Sequence, residues 1–76
     1  MTFLEYLCVL QQREDAKCWA HIPIEHLSAL GWKMHLQQQD DDLWVATMQK
    51  GEIIYGSVRQ ANFHSAVFEV AKAVLS

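Results

Sequence analysis

Two stretches of the 76-residue chain bring together side chains capable of chemistry. One is "MHLQQQDDDLW", Met34 to Trp44, in which three amides precede the adjacent carboxylates Asp40, Asp41 and Asp42. Consecutive carboxylates could bind a cation, attract a basic partner or simply hydrate a turn. Calcium loops of the D-x-D-x-D kind alternate their ligands, include a glycine and end in a bidentate glutamate. Neighbouring residues point in different directions, and neither the alternation of acidic ligands nor the internal glycine is present, so a dedicated calcium site is not expected. The other stretch holds Cys18, His21 and His26, with Cys8 further upstream. Structural zinc sites pair their ligands as C-x2-C or H-x3-5-H on a turn. Only His21 and His26 approach that pattern, and Pro23 lies between them. Cys18 and His21 could in principle form a nucleophile and base, but no nucleophile elbow or orienting third residue accompanies them. The expectation is therefore core cysteines, surface histidines, no catalytic residues, no metal ligands and no cofactor.

The elements that would position these groups follow from periodicity. Thr2 and Glu5 have the spacing of a capping box, with Met1 and Tyr6 as an accompanying hydrophobic staple. Phe3, Leu7 and Leu10 recur at helical spacing, which predicts an amphipathic helix from residue 3 to about 14. Pro23 suits the first turn of a second, short helix; Ile24, Leu27 and Leu30 share a face, and Gly31 can close it in the left-handed conformation.

After Gly31 the period changes to two. Strands are expected at 32–37, 43–48 and from Glu52 to Val58, the last two joined by a tight turn at Gln49-Lys50-Gly51. Gly56 inside the third strand suggests a bulge or a close backbone approach. Both faces of the 43–48 strand are largely apolar, which calls for cover on both sides or for a partner on one. Asn62 is an N-cap for a last helix in which Phe63, Val67, Val70 and Val74 form an apolar face, and Ser65, Glu69, Lys72 and Ser76 a polar strip. Phe68 and Leu75 lie outside that face, an apolar surplus that either the first helix or another chain must cover. The fold class expected is α+β, a single domain over 1–76: a three-stranded antiparallel sheet with helices packed on it, in the order α-α-β-β-β-α.

Composition bounds function mainly by exclusion. Apolar residues make up 51% of the chain, enough for a core, and the formal charge is -3. A negative chain lacks the phosphate attraction that supplies most nucleic-acid affinity, so direct binding to DNA or RNA is disfavoured. No apolar run approaches the roughly 20 residues of a membrane span, and the start has neither a basic region nor a small-residue cleavage site, so a cytoplasmic location is expected.

Two resemblances add to this reading. "WVATMQKGEIIYGSVRQANFHSAVFEVAKAVL" is similar in layout to the second and third strands and last helix of double-stranded-RNA-binding domains. That family opens its last helix with a basic cluster, where this chain has Phe63-His64-Ser65-Ala66. "ALGWKMHLQQQDDDLWVATM" followed by "SAVFEVAKAVL" resembles small phage-encoded sandwich domains of ABA type over about the last two-thirds of the chain. The second resemblance, with the charge, implies a small acidic protein from a phage or mobile element that inhibits a host nucleic-acid-handling complex of restriction or CRISPR type.

The function expected is thus a non-enzymatic module that binds another protein with a basic surface, and self-associates as a homodimer to bury its apolar surplus. The residues expected at the contacts are Asp40, Asp41, Asp42, Trp44, Phe68 and Leu75. The competing expectations are a nucleic-acid-binding domain of the double-stranded-RNA-binding layout and a minor metal or enzymatic function.

Overall fold

The computed structural model describes residues 1–57 and 59–76, so Val58, the expected end of the third strand, lies outside the described residues. The architecture is α+β, with two layers: three helices on one face of a three-stranded antiparallel sheet. The elements are α1 (Phe3–Gln11), a 3-10 turn (Ala16–Trp19), α2 (His21–Ala29), β1 (Lys33–Gln38), β2 (Trp44–Lys50), β3 (Ile53–Gly56) and α3 (Phe63–Leu75). Strands follow one another in sheet order β1-β2-β3.

Local chemistry sets the helix ends. The Glu5 N–H donates to Thr2 Oγ1 at 3.1 Å, half of the expected capping box. The Glu5 carboxylate accepts from the Thr2 hydroxyl at 3.2 Å, not from its N–H, so the other half takes a different form. Met1 is almost wholly exposed, so the staple does not clamp the chain; Phe3 instead stacks on His26, ring centroids 3.7 Å apart. Helix α1 stops at Gln11, short of the expected residue 14, because the chain turns there into the 3-10 turn. At the end of α2 the Trp32 N–H reaches Leu27 O and the Gly31 N–H reaches Ser28 O, both at 3.0 Å. This 6→1 and 5→2 pair is the Schellman arrangement, which demands a left-handed residue, and Gly31 has φ 95°. On α3, Asn62 Oδ1 accepts from the Ser65 N–H at 3.1 Å, as an N-cap does.

The sheet register pairs Met34 with Met48, Leu36 with Ala46, and Met48 with Tyr55. Side chains alternate across a strand, so Trp44, Ala46 and Met48 share one face and Val45, Thr47 and Gln49 the other. Ala46 and Met48 are fully buried under the helices, whereas Val45 and Thr47 are only partly covered. Lys33, His35 and Gln37 complete the uncovered face on β1. The sheet is therefore covered by the protein's own helices on one side only. Gly51, φ 61°, is the first central residue of the two-residue β2–β3 turn, the position a type II′ turn reserves for glycine.

Helix α3 lies at the centre. Ala66, Val67, Phe68, Val70 and Ala71 are all buried, an arc too wide for a sheet face alone. The arc is covered by β2 on one side and by α1, α2 and the 3-10 turn on the others, with Leu7, Leu10, Ala16, Ala20 and Leu27 in the same core. The apolar surplus of this helix is thus closed within the chain. Its polar strip joins α1 through Gln11 Nε2, which donates to Glu69 Oε1 at 3.0 Å, while Lys72 pairs with the same carboxylate oxygen at 2.9 Å. Both cysteines are exposed, contrary to the expected core positions: Cys8 follows buried Leu7 on the outer side of α1, and Cys18 lies on the 3-10 turn.

Candidate functional site

The three carboxylates occupy the β1–β2 hairpin loop. The Gln39 N–H donates to Leu43 O at 2.7 Å and the Asp42 N–H to Gln39 O at 3.0 Å. Asp42 has φ 64°. These bonds describe a three-residue loop, a turn closed by a left-handed residue, in which aspartate is one of the few side chains tolerated. Asp41 braces it twice: Oδ1 accepts from the Leu43 N–H at 3.2 Å, and Oδ2 pairs with Arg59 Nη1 at 2.8 Å. The loop is accordingly a defined turn, and the three carboxylates are not equivalent. Asp41 is committed to the turn and to Arg59. Asp40 and Asp42 make no ion pair among the described residues and stay exposed at the tip. No group of three histidine, cysteine, aspartate or glutamate side chains among the described residues is placed to hold a metal ion.

Arg59 reaches the loop because the chain after β3 returns along β2. The Trp44 N–H donates to Gln60 O at 2.7 Å and the Gln60 N–H to Trp44 O at 2.9 Å. Between the Thr47–Gly56 and Trp44–Gln60 pairs, the β3 side contains one residue more than β2. The register shifts by one residue, as at a bulge, between Ser57, which still lies opposite Ala46, and Gln60, and so beyond Gly56, where the sequence suggested one. Ser57 anchors it: its N–H donates to Ala46 O at 2.9 Å and its Oγ accepts from the Ala46 N–H at 3.0 Å. The expected alternative, a close backbone approach at Gly56, is not seen, since a Cβ there would meet nothing within 4 Å.

The same return brings the start of α3 beside the base of the hairpin. The Phe63 and Trp44 rings meet edge to face at 6.1 Å and 68°, and Phe63 in turn meets His64 at 5.9 Å. Phe63 is 43% exposed, and Trp44 is half-buried. One end of the molecule therefore combines an acidic turn, one arginine and an aromatic pair whose outer member faces solvent.

Of the residues expected at contacts, Asp40, Asp41, Asp42 and Trp44 come together at this end. Phe68 does not: it is 0% exposed, because the α3 arc that carries it faces α1 and α2. Leu75 is half-buried against the core at the far end of α3. Sequence reasoning missed Arg59 and Phe63. Phe63 was assigned to the core-facing stripe of α3, but it is the first residue of the helix and overhangs the sheet edge. Arg59 carries no periodic signal, since its position depends on the bulge.

Elsewhere, Arg13 Nε pairs with Asp15 at 3.0 Å. Arg13 first, and the nearby Trp19 indole N–H second, hold the Asp15 pKa below the usual carboxylate value, although the buried Trp19 Nε1 makes no hydrogen bond of good geometry. None of the described helices is long and apolar enough to cross a membrane. Comparison with protein-family models, with curated proteins and with solved structures finds no match for this chain.

Proposed function

We propose that this protein is a non-enzymatic binding module that docks its acidic, aromatic end on a basic surface of another protein. The observation that carries the reading is the exposed Phe63 ring, held edge-on by Trp44 beside the Asp40 and Asp42 carboxylates. Exposed carboxylates on a defined tip steer approach to a cationic surface and raise the association rate more than the final affinity. An aromatic ring already fixed by a neighbour loses little side-chain freedom on binding and can serve as the short-range anchor. A groove shaped for nucleic acid, as in a restriction or CRISPR-type complex, is the class of basic surface such an end suits, and its occlusion would be inhibitory. The resemblance to phage-encoded domains supports that extension.

The test is a pull-down from host lysate followed by binding kinetics on the captured protein. Asp40→Asn with Asp42→Asn should slow association, with a difference that shrinks as salt rises, because exposed charges are screened beyond about 8 Å at physiological ionic strength. Phe63→Ala should mainly speed dissociation. Rates equal to the parent for both variants would remove this end from the interface. Salt-dependent retention of duplex RNA or DNA in a gel-shift assay would replace the reading with a nucleic-acid-binding one.

A further inference from the structure

Strand β3 forms an outer edge of the sheet, and among the described residues no backbone hydrogen bond reaches Ile53–Gly56 from beyond that edge. Its hydrogen-bonding phase follows from its neighbour. Ser57 donates its N–H to Ala46 O, and Tyr55 and Ile53 stand opposite Met48 and Lys50. Odd-numbered residues therefore turn their backbone groups toward β2. The two directions alternate along an antiparallel ladder, so the N–H and C=O groups of Ile54 and Gly56 point out of the sheet, as does the C=O of Glu52 at the end of the turn.

The side chains along this edge are equally open. Ile53 is 55% exposed, Ile54 62% and Tyr55 37%. Ile54 belongs to the uncovered face with Gln49, whereas Ile53 and Tyr55 belong to the helix side but project past its cover. Folded proteins protect such edges with charges, prolines or very short strands, and β3, at 4 residues, has only the last of these. The opposite edge, β1, carries Lys33 and His35, both exposed. From Ile53 to Ser57 there is no charge at all, and Glu52 stands only at the start.

We infer that β3 is a homodimer interface, in which two copies pair edge to edge and antiparallel about a two-fold axis through Ile54, extending the sheet across both. An axis normal to the sheet requires opposed residues to lie on the same face. Ile54 then meets Ile54, Ile53 meets Tyr55, and Glu52 meets Gly56 of the second copy. The outward backbone groups of Ile54 form the central reciprocal pair, and on each side the Gly56 N–H meets the Glu52 C=O, about four hydrogen bonds in all. The register opposes no like charges and sets apolar side chains against one another. Glu52 faces a residue with no side chain, in space that is open to 4 Å. The two Glu52 carboxylates lie about 13 Å apart along the strand, at ~3.3 Å per residue, beyond the ~8 Å screening length. Moving the axis to Glu52 would bring these carboxylates face to face, and moving it to Tyr55 would leave Ile53 opposite Ser57. A foreign strand has no such built-in register, so a second copy is the occupant this edge fits. The acidic hairpin is at the other end of β2 from the β2–β3 turn, so dimerisation leaves both acidic ends free and does not depend on the proposed function.

Sedimentation equilibrium from about 1 µM to 1 mM tests this, with circular dichroism to establish folding. The parent should pass from monomer to twice that mass as concentration rises. Ile54→Lys and Ile54→Glu, each at an exposed position, should fold and raise the dissociation constant about tenfold or more, since like charges directly opposed across a ladder repel. An equimolar mixture of the two variants should regain association, because opposite charges then face each other across the axis. A parent that stays monomeric throughout, variants that dimerise like the parent, or a mixture that gains nothing over its components would each overturn the inference.

Discussion

Replacing Phe68 by alanine distinguishes a core residue from a contact residue. In the structure the ring is fully buried where α3 meets the rest of the core, so its removal deletes apolar contacts and leaves a cavity. Truncation of a buried phenylalanine costs about 3–5 kcal/mol, while a domain of this length has a total stability on the order of 4–11 kcal/mol. At roughly 4–8 °C per kcal/mol for a small domain, the melting temperature should fall by on the order of 20 °C. The assay is urea denaturation followed by the fluorescence of Trp19, Trp32 and Trp44, all of them half-buried, alongside a thermal melt by circular dichroism. The urea midpoint should drop sharply with little change in slope, because the surface exposed on unfolding is nearly the same. A variant melting within about 2 °C of the parent would refute the packing described for α3 and return Phe68 to the surface, as a residue available to a partner.

The left-handed backbone at Asp42 predicts that Asp42→Gly melts at or above the parent, whereas Asp42→Val, with a branched side chain at φ 64°, loses about 1–2 kcal/mol; equal melting of the two would contradict the turn assignment. Lys72 above all, and then Gln11, lower the Glu69 pKa against a desolvation that raises it. A depressed pKa in the folded state adds stability above the ordinary carboxylate value that is lost as pH falls through the lowered one. Urea midpoints measured from pH 7 down to 3 should therefore fall on acidification below about 4.5 in the parent and less steeply in Glu69→Gln, and an unchanged acid limb in the variant would remove Glu69 from the linkage. Asp15, lowered chiefly by Arg13, acts in the same direction and accounts for part of the slope that remains.

Features that a few neighbouring residues decide are legible in the chain alone. Thr2 and Asn62 cap their helices because the acceptor and the orphan N–H are three residues apart. Gly31 ends α2 because the Schellman arrangement needs a backbone that other residues adopt only with strain. Alternation from Lys33 onward marked the strands, and short connections made them antiparallel neighbours, so the order α-α-β-β-β-α could be read directly. The hairpin position of Asp40 to Asp42 was legible for the same reason.

Other features depend on groups distant along the chain and emerge only from packing. The sequence left open whether α1 or another chain covers the surplus on α3; packing brings α1 and α2 onto it, which buries Phe68. Cys8 and Cys18 read as core residues on polarity alone, but helix orientation turned both outward. Arg59 reaches Asp41 only because one extra residue in the ladder shifts the register between Gly56 and Gln60, and Phe63 meets Trp44 only because that shift brings the start of α3 beside β2. Capping and alternation are set over distances of two to four residues, where chain geometry fixes which groups can meet. Which face a helix buries, and which charge an aspartate finds, depend on how separate elements settle against one another, and no local pattern encodes that.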